Sequence, residues 1–261
     1  MTSKPDKTPE ELARENIDAA LVEAGWIIQD RAEMDVSAGV GVAIREFKTD
    51  AGFADYLLYV DRKPAGVIEA KKEGVVLTGI EAQTKDYATK VPSYIPVPIR
   101  PLPFLYESTG VETRFTNLLD PTPRSRRIFH VHQPRTLKAW LDDAIAIEKG
   151  RPGALSAPTF LGRMQQAPPL NTAGMWPAQI TAVENLEVSI RDARPRALIQ
   201  MATGSGKTYT TVASVYRLIK FGGARRVLFL VDRGNLGKQA LKEFQAYTTP
   251  DDGRKFTELY N

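Results

Sequence analysis

The chain has 261 residues, of which 43% are hydrophobic and 25% charged, a composition that argues against wholesale disorder. Its 35 Lys and Arg residues against 31 Asp and Glu residues give a net charge of +4, which permits binding to a polyanion without requiring it. With no Cys and two His residues, disulfides and thiolate metal sites are excluded, so any metal is expected to have oxygen ligands. No apolar run has the length of a membrane span, and residues 1–7 lack the apolar core of a signal peptide. We therefore expect a cytoplasmic protein that does not bind a membrane.

The first part of the chain predicts helices around a pair of strands. Thr8-Pro-Glu-Glu11 is a capping box that begins a helix over residues 9–24, and Gly25 ends it. Further elements are predicted in chain order: strands at 52–60 and 65–71 joined by a turn at 61–64, a helix at 79–90, an irregular proline-rich connection at 92–103, strands at 104–108 and 112–117, and a helix at 135–149.

The second part of the chain has a different pattern. Residues 150–174 are rich in Pro, Gly, Ala and Gln without periodicity, which indicates a linker between a domain at 1–149 and another at 175–261. Beyond the linker, helices at 177–191, 207–221 and 235–247 alternate with apolar strands at 197–201 and 227–231. Helices that alternate with buried strands predict a parallel α/β sheet.

The strand pair carries a candidate metal site. Because alternate side chains of a strand share a face, Asp55 on one strand is expected to meet Glu69 and Lys71 on the other. Two carboxylates suit Mg²⁺, which also takes water and phosphate oxygens, and Lys71 could orient a water or support developing charge. The alternative is a solvated hairpin face. However, Glu69 directly follows the apolar residues 66–68, where an unpaired carboxylate is costly.

The spacing of these residues resembles a known superfamily. Asp55, thirteen further residues and then Glu69-Ala-Lys71 are similar to the PD-(D/E)xK nucleases, although Ala54 stands where that name has proline. More closely, this part resembles the nuclease domain of the R (restriction) subunit of type I restriction enzymes.

The resemblance also implies roles outside the strand pair. Gln83 and Tyr87 match a Gln-x-x-x-Tyr motif of the wider exonuclease branch, and four residues apart they share one helix face beside the active site. The superfamily further carries an acidic residue on its first helix, for which Glu15 is the candidate. The alternative for Glu15 is a surface acid of that helix.

A glycine-rich loop predicts nucleotide binding. Gly204 and Gly206 let the backbone N–H groups curl toward phosphate oxygens, Lys207 would reach the β- and γ-phosphates, and Thr208 would ligate Mg²⁺. The predicted ATP-binding residues of the loop are Thr203, Gly204, Ser205, Gly206, Lys207 and Thr208. The loop resembles the first motif of superfamily 2 helicases and translocases, and the alternative is a chance turn that opens a helix.

Two neighbouring segments extend this resemblance. Gln179, on the first turn of its helix, is similar to the adenine-reading glutamine of superfamily 2, although a glutamine there is unremarkable by itself. Residues 226–233 with Leu236 and Gln239 resemble motif Ia, which touches the DNA backbone in the family. The alternative for Asp232 and Arg233 is a local surface ion pair.

These patterns together predict an α/β protein: a restriction-endonuclease-like domain with a mixed sheet, then a partial RecA-like domain. No Walker B carboxylate pair follows Lys207, so we expect an N-terminal piece of a longer protein that does not hydrolyse ATP efficiently alone. The resemblance implies Mg²⁺-dependent cleavage of double-stranded DNA coupled to ATP-dependent translocation, together with methyltransferase (M) and specificity (S) subunits. The alternatives are another nuclease–helicase fusion of DNA repair or defence, and a non-catalytic module that docks DNA or a subunit.

Overall fold

The computed structural model describes residues 8–194, 196–232 and 234–260, and it divides into two compact units, Met1–Pro158 and Thr159–Asn261. Residues 1–7, which the signal-peptide argument used, lie outside the described residues. Within the described ranges, no helix is long and apolar enough to cross a membrane.

The first helix, α1 (Pro9–Glu23), begins at the predicted capping box. The Thr8 hydroxyl accepts a hydrogen bond from Glu11 N at 3.2 Å, and the Glu11 carboxylate accepts one from Thr8 N at 2.7 Å. These two bonds satisfy amide groups that have no partner within the helix, which is why the helix begins here. Gly25 follows the helix with φ 90°, a left-handed conformation that glycine adopts at low cost and that ends the helix. The predicted helix is thus confirmed.

The first unit is built on one mixed seven-stranded sheet whose strands follow chain order. Its strands are β1 (Ile27–Asp30), β2 (Gly41–Thr49), β3 (Gly52–Val60), β4 (Lys63–Ala70), β5 (Phe104–Ser108), β6 (Thr113–Asn117) and β7 (Arg126–Ile128). The β1–β2 and β4–β5 pairs are parallel and the other four are antiparallel. The unit also contains α2 (Glu81–Thr89), which connects β4 to β5, and α3 (Pro134–Glu148). The predicted mixed sheet is confirmed.

Two hairpins of this sheet agree with the sequence analysis. Asp61 and Arg62 turn the chain between β3 and β4 with φ of 48° and 65°, as a tight hairpin turn requires. Gly110, with φ 79°, lies in the turn between β5 and β6. Strand β2 was not predicted. Glu46 lies in the left-handed region with φ 47° between the ladder pairs Arg45–Tyr56 and Phe47–Ala54, which keep the same register. Residues 41–44 are all buried, so β2 begins without the alternation of buried and exposed residues by which a strand is recognised in a sequence.

The sheet separates two apolar layers. On one face Ile17 of α1 and Leu141 of α3 pack with Ile68 and Tyr106, and on the other Tyr87 of α2 packs in the layer that contains Val67. Glu69 lies two residues beyond Val67 and so shares the face of this second layer, on which α2 packs, and Asp55 lies opposite it at the end of the β3–β4 ladder.

The second unit consists of helices, namely α4 (Phe160–Gln165), α5 (Pro177–Arg191), α6 (Lys207–Lys220), α7 (Gly234–Ala246) and α8 (Phe256–Leu259). The predicted helices at 177–191, 207–221 and 235–247 are confirmed by α5, α6 and α7. Helix α4 and residues 166–169 fall within the predicted linker, yet they pack in this unit: Arg163 Nε donates to Gly222 O at 2.8 Å, and Arg217 donates to Pro168 O at 2.6 Å.

The prediction of paired parallel strands at 197–201 and 227–231 was wrong. Neither run forms a strand, and Leu198 and Leu228 are 93% and 82% exposed. A short parallel pair buries its apolar side chains only between neighbouring strands and covering helices. Among the described residues of this unit, no such neighbouring strand is present, so both runs keep their apolar side chains at the surface.

Candidate functional site

Asp55 and Glu69 face each other at the end of the β3–β4 hairpin. Tyr56 pairs with Ile68 in this ladder, so Asp55 and Glu69 are the next residues outward on the two strands. Asp55 Oδ2 accepts a hydrogen bond from Ala70 N at 2.8 Å, which fixes the carboxylate against the partner strand. The sequence analysis brought these two carboxylates together by strand alternation, and the structure does the same.

Lys71 joins this pair to helix α2. Its Nζ donates to Glu69 Oε1 at 2.7 Å and to Gln83 Oε1 at 3.2 Å, and Gln83 Nε2 donates to the Tyr87 hydroxyl at 3.0 Å. The residues of the Glu-x-Lys and Gln-x-x-x-Tyr patterns therefore form one connected chain of hydrogen bonds. Because Gln83 and Tyr87 are one helical turn apart, α2 holds both groups on the side that faces the site.

The environment of Glu69 favours a cation. Its side chain is 6% exposed, and its Oε2 atom is buried without a hydrogen-bond partner in the described structure. Burial raises the pKa of Glu69 above its ordinary value, the ion pair with Lys71 opposes this shift, and the charge of Asp55 adds to it. A buried carboxylate oxygen without a donor is costly, and a bound cation would remove that cost.

Arg14 is a site residue that the sequence analysis missed. From α1 its Nη2 donates to Asp55 Oδ1 at 2.6 Å, and its Nη1 donates to Glu46 Oε1 at 2.9 Å. Partial burial lowers the pKa of Arg14, but the two carboxylates outweigh it and raise that pKa above its ordinary value. An arginine on an amphipathic helix is usually a surface residue, so only knowledge of the sheet beneath could have identified this one.

Glu15 lies on the exposed face of α1. Ala13 and Ile17 define the buried face of α1, and Glu15 is exposed, whereas Arg14 and Asp18 reach the sheet. The Asp18 carboxylate accepts hydrogen bonds from the Tyr56 hydroxyl at 2.8 Å and from Arg45 at 2.6 Å. No described hydrogen bond or ion pair places Glu15 with Asp55, and a catalytic role for it stays a prediction.

Glu107 is a second residue that the sequence analysis missed. It pairs with Glu69 across the parallel β4–β5 ladder, is 0% exposed, and neither carboxylate oxygen has a hydrogen-bond donor among the described residues. The nearby Thr84 hydroxyl donates to Ile80 O instead. Burial raises the pKa of Glu107 to about 7. A Glu within an apolar strand indicates a candidate site residue, and the sequence analysis used this argument only for Glu69.

The described residues include no group of three or more His, Asp or Glu side chains that could hold a metal ion. Asp55 and Glu69 therefore offer two carboxylates, a number that suits Mg²⁺ because this ion keeps several waters and binds substrate phosphates. The unpartnered Glu69 Oε2 and the cationic group already at Asp55 Oδ1 are both consistent with a cation at this position.

The glycine-rich loop of the second unit has the conformation that its sequence predicts. Gly204 and Gly206 have φ of 82° and 79°, and Gly206 is the N-cap of α6. The Lys207 ammonium donates to Ala202 O at 3.0 Å and to Met201 O at 3.4 Å. The side chain therefore folds back over the loop that would bind the phosphates. Ser205 donates to Ala202 O at 2.6 Å, Thr203 is exposed, and Thr208 is half-buried on the first turn of the helix.

Gln179 lies against this loop. Its Oε1 accepts from Trp176 N at 3.0 Å, and its Nε2 donates to Ser205 O at 3.3 Å. The side chain thus links the start of α5 to the phosphate loop, and its adenine-reading role stays a prediction. Of the segment compared with motif Ia, Arg233 lies outside the described residues, while Leu236 and Gln239 lie on α7.

Two family models match the chain. Residues 173–261 match the model described as the res subunit of type III restriction enzymes. Residues 31–96, which contain Asp55 and Glu69, match the model of the second domain of the type I restriction enzyme EcoKI endonuclease subunit. The EcoKI endonuclease subunit of Escherichia coli K12 is itself 28% identical over 97% of this chain. By these matches the chain is similar to the endonuclease (R) subunits of type I restriction enzymes.

Other R subunits are similar over shorter parts. The EcoAI endonuclease subunit of Escherichia coli is 38% identical over 27% of this chain and 9% of its own length. A solved fragment structure described as an HsdR subunit of a type I restriction enzyme from Vibrio vulnificus YJ016 is 21% identical. It covers 83% of this chain and 39% of that chain with a TM-score of 0.40. The chain spans about a quarter (25%) of the length of the EcoKI subunit.

Proposed function

We propose that this chain carries the DNA-cleaving site and the ATP-binding loop of a type I restriction enzyme. The reaction would be Mg²⁺-dependent cleavage of double-stranded DNA, coupled to ATP-dependent translocation. One observation carries the proposal: Glu69, Lys71, Gln83 and Tyr87 form a single hydrogen-bonded chain beside Asp55. The match of residues 31–96 to a domain of the EcoKI endonuclease subunit supports it.

Each residue of the proposed site has a distinct task. Asp55 and Glu69 would hold the Mg²⁺ ion, which when bound supplies a water of lowered pKa and stabilises charge on the scissile phosphate. Lys71 would place its ammonium beside that water or the phosphate oxygens. Gln83 accepts from Lys71 and donates to Tyr87, so it would keep the ammonium oriented rather than touch the substrate.

The glycine-rich loop would bind ATP in the same protein. Gly204 and Gly206 expose backbone N–H groups at the start of α6, and Lys207 lies within reach of the same space. Lys207 would exchange its two carbonyl partners for the β- and γ-phosphates, and Thr208 would contribute its hydroxyl to Mg²⁺. In the cytoplasm the subunit would act with methyltransferase and specificity subunits, since cleavage must be directed by a partner that reads the DNA site.

Single substitutions in the assembled restriction enzyme test both halves. Asp55→Ala and Lys71→Ala should abolish DNA cleavage and leave DNA-stimulated ATP turnover intact, whereas Lys207→Ala should abolish ATP turnover. Lys72→Ala is the matched control, because Lys72 is the exposed neighbour of Lys71. Wild-type cleavage by either nuclease variant would refute the assignment of this site.

A non-catalytic docking module is the remaining alternative, and metal binding distinguishes it. Mn²⁺ or Mg²⁺ should raise the melting temperature of the purified 261-residue chain, and Asp55→Asn should remove that rise. A docking module would show no Asp55-dependent stabilisation. Another nuclease–helicase fusion would instead cut DNA without a methyltransferase partner.

A further inference from the structure

Arg14 contacts one of the two carboxylates of the candidate metal site. Its Nη2 lies 2.6 Å from Asp55 Oδ1, while Asp55 Oδ2 accepts from Ala70 N. Both oxygens of the carboxylate that would bind the metal are therefore engaged. A carboxylate and a cation at this distance form a charge-assisted hydrogen bond, which is among the stronger contacts of a partly buried site.

A second carboxylate holds Arg14 in this position. Glu46 Oε1 accepts from Nη1 at 2.9 Å, and Glu46 has φ 47°, a conformation that residues other than glycine rarely adopt. Glu46 thus presents its carboxylate to Arg14 at the cost of backbone strain. The Nε atom of Arg14 is buried without a hydrogen-bond partner in the described structure. The guanidinium is therefore positioned to contact the two carboxylates even though one of its donors makes no hydrogen bond there.

Open space adjoins this contact. A pocket of about 440 Å³ lies beside Arg14 and Asp55, and Phe53, Arg31 and Arg45 also line it. Arg45 lines the same pocket but pairs with Asp18 and Asp30, not with Asp55. The Arg14 side chain is 42% exposed, so it can leave Asp55 for this pocket without unpacking the apolar layer beneath α1.

We propose that Arg14 is a placeholder cation, a positioning residue that occupies the metal position at Asp55 until a divalent cation displaces it into the adjoining pocket. The inference rests on the proposed nuclease function, because it assigns Asp55 to a metal. In the absence of metal, Arg14 would orient the Asp55 carboxylate and pair with its charge. The affinity for a divalent cation would then be lowered by the free energy needed to break the contact between Arg14 and Asp55.

Titration of the purified chain with Mn²⁺, followed by electron paramagnetic resonance of the free ion, tests the proposal. Asp55→Asn identifies the part of the binding that belongs to this site. Arg14→Gln should bind Mn²⁺ at that site about fivefold more tightly than wild type, the range expected for loss of a competing ion pair of this exposure. Arg14→Lys should return the affinity toward the wild-type value, and Arg45→Gln should leave it unchanged.

The possible outcomes separate this inference from the proposed function. If Asp55→Asn lowers Mn²⁺ binding but Arg14→Gln binds no more tightly than wild type, the placeholder role is overturned and the metal site stands. If Asp55→Asn has no effect on Mn²⁺ binding, both are overturned. If circular dichroism shows that Arg14→Gln does not fold, the Mn²⁺ affinity of Glu46→Gln tests the placeholder role instead. This variant removes one anchor of Arg14 and should also tighten Mn²⁺ binding, and unchanged affinity there would overturn the inference.

Discussion

Gln83 on α2 accepts a hydrogen bond from the Lys71 ammonium at 3.2 Å and so joins a helix to the end of the β3–β4 hairpin. Without this bond Lys71 keeps its Glu69 partner but loses the contact that sets its direction. Gln83→Met should therefore lower the DNA cleavage rate of the assembled enzyme by about tenfold or more, the usual effect of removing a group that orients a metal-site residue. ATP turnover and the melting temperature should change little, because Gln83 is exposed.

The matched control for that variant is Lys85→Met, an exposed position on the same helix. It should cleave DNA at the wild-type rate. Equal loss of cleavage in both variants would mean that any substitution on the exposed face of α2 lowers activity. The orienting role of Gln83 would then be rejected.

Gly206 and Gly204 provide a matched pair in the phosphate loop. Both have φ near 80°, so alanine at either position costs roughly 1 kcal/mol in backbone strain. A Cβ at Gly206 would also lie 2.1 Å from Gln179 Nε2, whereas a Cβ at Gly204 meets nothing within 4 Å. Gly206→Ala should therefore weaken binding of a fluorescent ATP analogue more than Gly204→Ala.

The double variant Gly206→Ala with Gln179→Ala isolates the contact. Gln179→Ala alone is the reference, because it already lacks the hydrogen bonds of Gln179 to Trp176 N and Ser205 O. Adding Gly206→Ala to it should lower the melting temperature only as much as Gly204→Ala lowers that of wild type, since only the backbone strain is added. If Gly206→Ala costs as much in the Gln179→Ala background as in wild type, the steric explanation is incorrect.

Arg217 and Glu187 form a buried ion pair in the second unit. Each is 5% exposed, and Arg217 also donates to Pro168 O at 2.6 Å. Among the described residues, Arg217→Met leaves Glu187 with a buried charge that Arg191 alone still pairs with, and should destabilise this unit by about 3 kcal/mol or more. Lys220→Met is the control, because Lys220 meets Asp251 at 3.9 Å in a partly exposed pair that contributes about 1 kcal/mol at most. Urea unfolding of both variants measures the difference in their free energies of unfolding. Equal destabilisation would show that the buried ion pair contributes no more to stability than the exposed one.

Much of the fold could be predicted because helix caps and tight turns depend on residues that are neighbours in the sequence. The capping box at Thr8 and the positive-φ turn at Asp61 act over a few residues, and both are present as expected. Strand β2 was missed because its first residues, 41–44, are all buried, so the alternation of buried and exposed residues is absent there. The paired strands at 197–201 and 227–231 failed for the opposite reason: their apolar pattern is clear, but a strand also needs neighbours, which the sequence of the segment does not contain.

The candidate site divides in the same way. Asp55, Glu69 and Lys71 could be assigned from strand alternation, and Gln83 and Tyr87 from helical spacing. Arg14 and Glu107 could not, because each reaches the site through the packing of an element distant in sequence: α1 across β3, and β5 beside β4. Glu15 was the candidate on the first helix because the resemblance implies an acid there, while the rotation of α1 is set by the burial of Ile17 and Leu21.

Glu107 should make the stability of the first unit depend on pH. Burial raises its folded pKa to about 7, above the 4.5 of an ordinary Glu, so the folded state binds a proton that the unfolded state has lost between these values. Stability is therefore fully present below pH 4.5, falls as the pH rises from about 4.5 to 7, and is constant above. The total loss is roughly 3 kcal/mol, from about 1.4 kcal/mol for each pKa unit.

Glu107→Gln removes this titration and keeps the size of the side chain. In metal-free buffer with EDTA, urea unfolding of the variant should lack the decline between pH 5 and 7, and above pH 7 the variant should be more stable than wild type. Glu148→Gln, at an exposed position on α3, is the control and should follow the wild-type pH dependence. A decline of the same size in Glu107→Gln would assign the pH dependence to another group, for which Glu69 is next in line because burial raises its pKa as well.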